Sequence, residues 1–340
     1  MTAPGLGLRA LLFCAGLFAG AVAWAQPAAD AASAPAAGAS TAEAPASAPA
    51  PRPVPPRGQY SQKGADTCLE CHDDESPTFS SKAIFKGPHA HRGDKRAPFG
   101  PGGLQCEACH GPGAQHARNK KAASINSLKP GSDQTAQERN APCLACHTGG
   151  SRVGWHAGAH ELNNVACSDC HRIHQSQDPM FVKTAQPEVC FTCHRQKRAD
   201  FQKPSTHPVR FGLMTCSDCH APHGSTTAAM LVKPTLNQTC FTCHADKRGP
   251  LLWEHQPVTE DCALCHTAHG SVRNALLTKT PPLLCQQCHA PAGHPSVPYT
   301  SGSLPGGAAG GSIYIVAGGC VNCHSKVHGS NHPAGAKLMR

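Results

Sequence analysis

The chain has few of the large apolar side chains that form protein cores. Leu, Ile, Val and Phe together account for 51 of its 340 residues, and aromatic residues make up 5%. So small a share is typical of disordered chains, and it excludes a conventional hydrophobic core for a protein of this length. Something other than apolar side chains must therefore fill the interior.

Charge is scarce as well. Charged residues make up 15% of the chain, and the formal net charge is +9. Because no nucleic-acid-binding motif accompanies this modest basic excess, we predict no nucleic-acid partner. The residues in surplus are 21 Cys and 23 His, which are both metal ligands.

Long apolar runs are almost missing too. The early run at residues 10–23 follows Arg9 and precedes Ala23-Trp24-Ala25, and it is shorter than the roughly 18 residues of a membrane-spanning helix. This order is typical of a cleavable export signal. We predict a signal peptide at residues 1–25, a disordered linker rich in Ala and Pro at 26–60 and one domain at 61–340.

Every cysteine after the signal lies in one of ten copies of Cys-x-x-Cys-His. This pattern is the attachment signature of c-type haem, in which two thioethers hold the porphyrin and the adjacent His binds the iron. We therefore predict ten covalently attached haem c groups. The attachment residues are Cys68, Cys71, Cys106, Cys109, Cys143, Cys146, Cys167, Cys170, Cys190, Cys193, Cys216, Cys219, Cys240, Cys243, Cys262, Cys265, Cys285, Cys288, Cys320 and Cys323. The proximal iron ligands are His72, His110, His147, His171, His194, His220, His244, His266, His289 and His324.

Structural zinc sites and disulfides are the alternatives. Neither requires His directly after every second Cys, and export to an oxidising compartment disfavours reduced thiolates. Ten porphyrins would also supply the missing apolar bulk, so folding should depend on haem attachment.

The 13 histidines outside the motifs follow a pattern. Each even-numbered motif has one His before it, after the preceding odd motif, and another shortly after it. We predict that these ten are the second axial ligands, which makes every haem a low-spin electron carrier and leaves no catalytic residue. They are His89, His116, His160, His174, His207, His223, His255, His269, His294 and His328.

Some of these choices stay open. His91 competes with His89, and His156 competes with His160. The tripeptide His-Gly-Ser at 223–225 and 269–271 recurs at 328–330, which favours His328 over His332. Which second ligand serves which haem does not follow from the sequence.

The order of odd motif, His, even motif, His occurs five times and defines five repeat units of two haems each. With 31 Pro and 33 Gly residues, the segments between motifs predict short helices and loops only. The fold class that we predict is a multihaem cytochrome c with little regular secondary structure, wrapped round a linear, elongated chain of ten haems.

Two segments carry a family resemblance: Cys106-Glu107-Ala108-Cys109-His110-Gly111-Pro112-Gly113 and the ending from Cys320 to Pro333. With the ten motifs in this order, the chain resembles the MtrA/DmsE family of periplasmic decahaem cytochromes, which includes the MtoA and PioA types. The resemblance implies a periplasmic, outer-membrane-associated electron carrier inside a β-barrel porin, without a substrate site of its own. It also implies periplasmic or inner-membrane c-type cytochromes as electron donors or acceptors, an extracellular multihaem cytochrome as a further partner, and a role in iron reduction or iron oxidation.

Two other functions fit a multihaem chain. A reductase of nitrite or another small oxyanion would need one haem with an open sixth position, and a haem-storage protein would need none. The number of predicted second ligands equals the number of motifs, ten of each, and this equality favours the electron carrier.

Overall fold

The computed structural model describes residues 58–73, 75–76, 79–119, 125–227, 229–289 and 320–340. The predicted signal peptide, nearly all of the linker and His294 lie outside these residues. In the described part, regular structure is limited to short pieces. The α-helices are α1 (Ala65–Leu69), α2 (Glu107–His110), α3 (Ala114–Arg118), α4 (Ala136–Leu144), α5 (Ala159–Leu162), α6 (Cys167–Cys170), α7 (Gln186–Phe191), α8 (Arg195–Asp200), α9 (Leu236–Cys240) and α10 (Gln256–Glu260).

One small hairpin pairs β1 (Glu75–Ser76) antiparallel with β2 (Phe79–Ser80). The remaining regular structure of the described residues consists of short 3₁₀-helices. They cover Ser81–Lys86, Pro88–Ala90, Gly150–Arg152, Pro179–Phe181, Pro208–Phe211, Cys216–Asp218, Ala245–Lys247, Cys262–Leu264, Asn274–Leu276, Cys285–Gln287 and Cys320–Asn322. The predicted fold class, with little regular secondary structure, is confirmed.

All ten motifs form the same helical turn. In the first, the backbone N–H of His72 donates to the carbonyl of Cys68 at 2.9 Å, and the other nine make the equivalent bond at 2.8 to 3.0 Å. Residues three and four apart lie on one side of such a turn. The two thiols and the imidazole of each motif therefore share one side, as attachment to a single porphyrin requires.

Within a repeat unit, the odd motif is fixed to the even motif that follows it. Asn237, in α9 of the seventh motif, accepts from the backbone N–H of Cys262 at 2.8 Å and donates to the carbonyl of Val258 at 3.0 Å. Asn140 makes the same pair of bonds to Cys167 and Val165. Buried amide side chains thus take the place of a hydrophobic contact between the two motifs.

Between repeat units, extended segments meet in short antiparallel bridges. Ser205 and Ser271 exchange two backbone hydrogen bonds of 3.0 and 2.8 Å, and Trp253 and Ser330 do the same at 2.8 Å each. Each bridge joins the segment before one even motif to the segment after the next even motif. We call the place where two consecutive repeat units meet a junction.

The junctions explain the repeated His-Gly-Ser tripeptide. Gly224 has φ +116°, and a Cβ there would overlap the carbonyl oxygen of Gly154 in the preceding unit. Gly329 has φ +121° and lies against Leu251 and the carbonyl of Trp253. Only glycine tolerates both this conformation and so close a backbone approach. Ser271 and Ser330, which follow two such glycines, are buried at 5% exposure.

Apolar packing is slight. In the described residues, the buried apolar cluster consists of Phe191, Phe201 and Val209 with Met214 against it, and no large side chain there is fully buried. The apolar side chains of the described residues therefore form no extended core. No helix among the described residues has the length and hydropathy of a membrane span.

Candidate haem sites

The histidines come together in pairs. In the described residues, nine proximal motif histidines each face one histidine from outside the motifs, with ring centroids 6.0 to 6.3 Å apart. The pairs are His72 with His116, His110 with His174, His147 with His89, His171 with His223, His194 with His160, His220 with His269, His244 with His207, His266 with His328 and His289 with His255. His294, the tenth of the predicted second ligands, lies outside the described residues.

This spacing fits one metal ion between two imidazoles. A metal-bound histidine nitrogen lies about 2 Å from the metal, and the ring centroid lies about 1 Å further away. Two rings that share one ion from opposite sides thus have centroids about 6 Å apart. The spacing of each pair therefore suits an iron with two axial histidines, which is the arrangement of an electron-carrying haem.

Most of the candidate second ligands come from a neighbouring repeat unit. The histidine before an even motif faces the odd motif of the next unit, as His160 faces His194. The histidine after an even motif faces the even motif of the preceding unit, as His223 faces His171. Each junction therefore exchanges one imidazole in each direction.

The first unit closes on itself. His116 follows the second motif but faces His72 of the first, with ring planes 14° apart. Exchange between units is the part of the site that sequence reasoning did not assign.

Hydrogen bonds orient the rings. Seven of the paired or motif histidines donate Nδ1–H to a backbone carbonyl at 2.7 to 2.9 Å, which leaves Nε2 as the free metal-binding nitrogen. They are His110, His160, His207, His220, His255, His266 and His324.

These bonds also link the exchanged ligands to each other. His160 donates to the carbonyl of Pro222, which directly precedes His223. His255 donates to Val327, directly before His328. The two second ligands that cross a junction are therefore held by one contact, so neither can shift alone.

Burial keeps several of these rings neutral. It is the main cause that lowers the pKa of six histidines below the usual value, and nearby positive groups add to the effect. The six are His89, His147, His174, His223, His269 and His328. Neutral imidazole is the form that ligates a metal.

Buried donors beside the pairs fit a group with carboxylates. Arg152 Nε and Trp155 Nε1 are buried and have no hydrogen-bond partner in the described part of the chain. The Trp155 ring lies 6.3 Å from that of His223. Buried polar groups normally have partners, and a haem propionate would supply one here. The residues of this site therefore fit a haem.

The three spare histidines differ from the paired ones. His91, His156 and His332 are exposed, and none of them joins an imidazole pair among the described residues. His156 instead contacts Glu161 at 3.0 Å. His89 and not His91 faces His147, at 6.0 Å.

The choice between His89 and His91 can be tested by one pair of variants. We expect His89→Ala to convert one haem in ten from low-spin to high-spin ferric, because the haem of the third motif loses its sixth ligand. The high-spin electron paramagnetic resonance signal and one equivalent of carbon monoxide bound per reduced protein would measure this. His91→Ala is the matched control and should show neither; the reverse result would exchange the two assignments.

Consecutive attachment sites are neighbours in space. In each unit, the first thiols of the two motifs lie side by side, and the hydrogen bond from Cys68 raises the pKa of Cys106. Across the next boundary, burial raises the pKa of Cys109 to about 11, and the nearby thiols of Cys143 and Cys146 add to the rise. Equivalent neighbours join Cys170 to Cys190, Cys219 to Cys243 and Cys265 to Cys288. The sites therefore follow one another in chain order.

One residue near the irons was missed by sequence reasoning. The motif histidine His171 donates Nδ1–H to the carboxylate of Asp178 at 2.6 Å, where the other described even motifs use a backbone carbonyl. The signal was an acidic residue seven positions after the motif histidine. That position holds Ala117, Thr227, Arg273 and Asn331 after the other even motifs.

Two family models match the chain. The model described as "Doubled CXXCH motif" matches residues 207–249 and 255–294, and the model described as "Cytochrome c-type protein NrfB-like" matches residues 106–186. The chain is also 46% identical over 283 residues to the multihaem cytochrome MtrA of Shewanella baltica (strain OS185), which covers 83% of each chain. The chain belongs to the MtrA family of multihaem cytochromes.

More distant relatives agree with this class. The MtrA-family chain is 27% identical over 155 residues to the cytochrome c-type protein NrfB of Escherichia coli O6:H1, which covers 43% of this chain and 72% of the relative. It is 28% identical over 156 residues to NrfB of Haemophilus influenzae, which covers 38% and 66%. The predictions of covalently bound haem c and of an MtrA-type multihaem cytochrome are confirmed, and the protein transfers electrons.

Proposed function

We propose that this MtrA-family cytochrome carries electrons between the periplasm and the cell exterior, inside an outer-membrane β-barrel porin. The observation that carries the proposal is the unbroken order of attachment sites, each of which is a neighbour of the next. Periplasmic or inner-membrane c-type cytochromes would exchange electrons at one end. An extracellular multihaem cytochrome or an iron compound would do so at the other.

The chain's own residues would serve this role by holding each site still. Haem c supplies reversible one-electron chemistry when bound. Twenty thiols would fix the porphyrins, and twenty imidazoles would fix the irons, as assigned above. Where two imidazoles occupy both axial positions, small molecules have no open coordination site. This supports an electron carrier over a reductase of nitrite or another oxyanion.

The exchange of ligands between units supports long-range transfer. Because every described junction ties two units together through two imidazoles, the units cannot separate without loss of axial ligands. A rigid succession of sites keeps the distance for each electron step constant. A periplasmic shuttle that carries electrons by diffusion would not need such ties.

The test is electron transfer across a closed vesicle. The holoprotein would be reconstituted with its co-expressed porin, with a redox dye trapped inside and dithionite added outside. We expect dye reduction only in vesicles that hold both proteins, together with protection of the cytochrome from external protease. Vesicles with porin alone and vesicles with cytochrome alone are the controls. Equal rates in all three, or no transfer with both proteins, would leave a purely periplasmic carrier.

A further inference from the structure

The fourth motif differs from its repeats in the partner of its proximal histidine. His171 Nδ1 and Asp178 Oδ2 lie 2.6 Å apart, and the side chains are 27% and 12% exposed. Four other even motifs place a backbone carbonyl at this position, from Asn126, Ala229, Ala275 and Lys337. Among the five even motifs, all of which are described, the fourth is thus the one whose histidine pairs with a carboxylate.

Asp178 is held in place by the backbone. Its Oδ1 accepts from the N–H of Met180 at 3.1 Å and begins the turn Pro179–Phe181, while the Phe181 ring lies 5.9 Å from the His171 ring. Its Oδ2 accepts from His171, so both carboxylate oxygens face N–H donors. An ionised carboxylate accepts through both oxygens, and this arrangement suits that form.

The positively charged side chains near this site contact other partners or lie near His223. The guanidinium of Arg172 donates to the carbonyl of Ser168. Arg152 lies near His223, the ligand on the opposite face, where it contributes to lowering the pKa of that histidine. Arg139 pairs with Asp169 at 2.7 Å. None of these groups separates the Asp178 carboxylate from the His171 imidazole, so the two remain in direct hydrogen-bond contact.

A carboxylate that accepts from a metal-bound imidazole makes the ring more basic and increases its negative charge. Negative charge next to iron stabilises the ferric over the ferrous state. We propose that Asp178 is a positioning and tuning residue that gives the haem of the fourth motif a lower reduction potential than those of the other even motifs. This rests on the assignment of His171 and His223 as its iron ligands.

In the array, the fourth site would then be harder to reduce than the second site before it and the sixth site after it. Asp178 would thereby make the even-motif haems unequal, with the lowest reduction potential of that series at the fourth site. The proposal concerns reduction potentials and holds whether or not a porin surrounds the protein.

The test is a potentiometric titration of the purified ten-haem protein, with the variant Asp178→Asn. The Asn side chain has the size of Asp and keeps one acceptor oxygen for His171, but it carries no charge. We expect about a tenth of the haem absorbance to titrate at a higher potential in the variant than in the wild type. The near-infrared magnetic circular dichroism band of low-spin ferric haem should shift to lower energy for the same tenth, because the ligand becomes less anionic.

Asp169→Asn is the matched control. Asp169 lies in the same motif but accepts from the N–H of Ala166 at 2.7 Å and contacts Arg139, without touching His171. The Asp169→Asn substitution should shift neither the potential at which the haem absorbance titrates nor the energy of the near-infrared band by a comparable amount. Titrations of Asp178→Asn and wild type that superimpose would overturn the proposal. High-spin haem that appears only in Asp178→Asn would also overturn it, since Asp178 would then merely hold His171 in place. High-spin haem already present in the wild type would instead count against the ligand assignment.

Discussion

Replacement of His328 by glycine is expected to open the haem of the eighth motif, and not the haem of the tenth motif that lies four residues away in the chain. His328 faces His266 at 6.1 Å, with ring planes 14° apart. Its neighbour in sequence, His324, points its Nδ1 at the carbonyl of Lys337. Loss of one axial imidazole leaves a five-coordinate haem, so one haem in ten should become high-spin and bind carbon monoxide.

Removal of attachment sites identifies the opened haem. In the His328→Gly background, Cys262→Ala with Cys265→Ala removes the eighth haem, and the high-spin signal should disappear with it. Cys320→Ala with Cys323→Ala removes the tenth haem and should leave the signal in place. Added imidazole should restore the low-spin form of the single variant, whereas His332→Gly should stay low-spin throughout. A signal that disappears with the tenth haem would contradict ligand exchange between units.

Without haem attachment, the chain is expected to remain unfolded. In the described residues, its apolar cluster consists of three buried residues with Met214, and the motif pairs meet through amide hydrogen bonds rather than apolar packing. A core of this size cannot offset the conformational entropy of ordering those residues, which is on the order of 1 to 2 kcal/mol per residue for the backbone. Porphyrins that fill the interior would supply the missing burial, as metal ions do in small metal-dependent domains.

Expression without the haem attachment machinery tests this dependence. The apo chain should lack a cooperative thermal transition in circular dichroism and should be cleaved by protease throughout residues 61–340. Under oxidising conditions its thiols should also form disulfides, because cysteines that hold no haem pair with one another in an oxidising environment. A reduced apo sample serves as the control for disulfide effects. Protease resistance equal to that of the holoprotein would contradict the expectation.

The sequence was sufficient for the chemistry of each site. Cys-x-x-Cys-His requires no tertiary information, since the five residues form one helical turn and place their own ligands on one side. The count of histidines outside the motifs then predicted how many second ligands to expect, and the His-Gly-Ser repeat favoured His328. The shortage of large apolar residues and the many Pro and Gly residues predicted the fold class.

The pairing of ligands was beyond sequence reasoning for a physical reason. His174 follows the fourth motif by three residues but faces His110 of the second motif. The reason is that the chain enters a junction with the preceding unit directly after the fourth motif. Nearness in the chain therefore gives the wrong neighbour at each junction. Asp178 was missed for a related reason, since a lone acidic residue in a loop gains meaning only when its contact with His171 is known.

The junctions also bear on how such arrays change length. At every described junction, each unit supplies one imidazole to the other. An internal unit therefore supplies and receives ligands in the same way as its neighbours. A gene duplication that inserts a complete unit would therefore extend the array by two haems with every iron still supplied. A deletion that removes half a unit would leave histidines of the neighbouring units without the haem that they ligate. Arrays built in this way should gain and lose haems in twos.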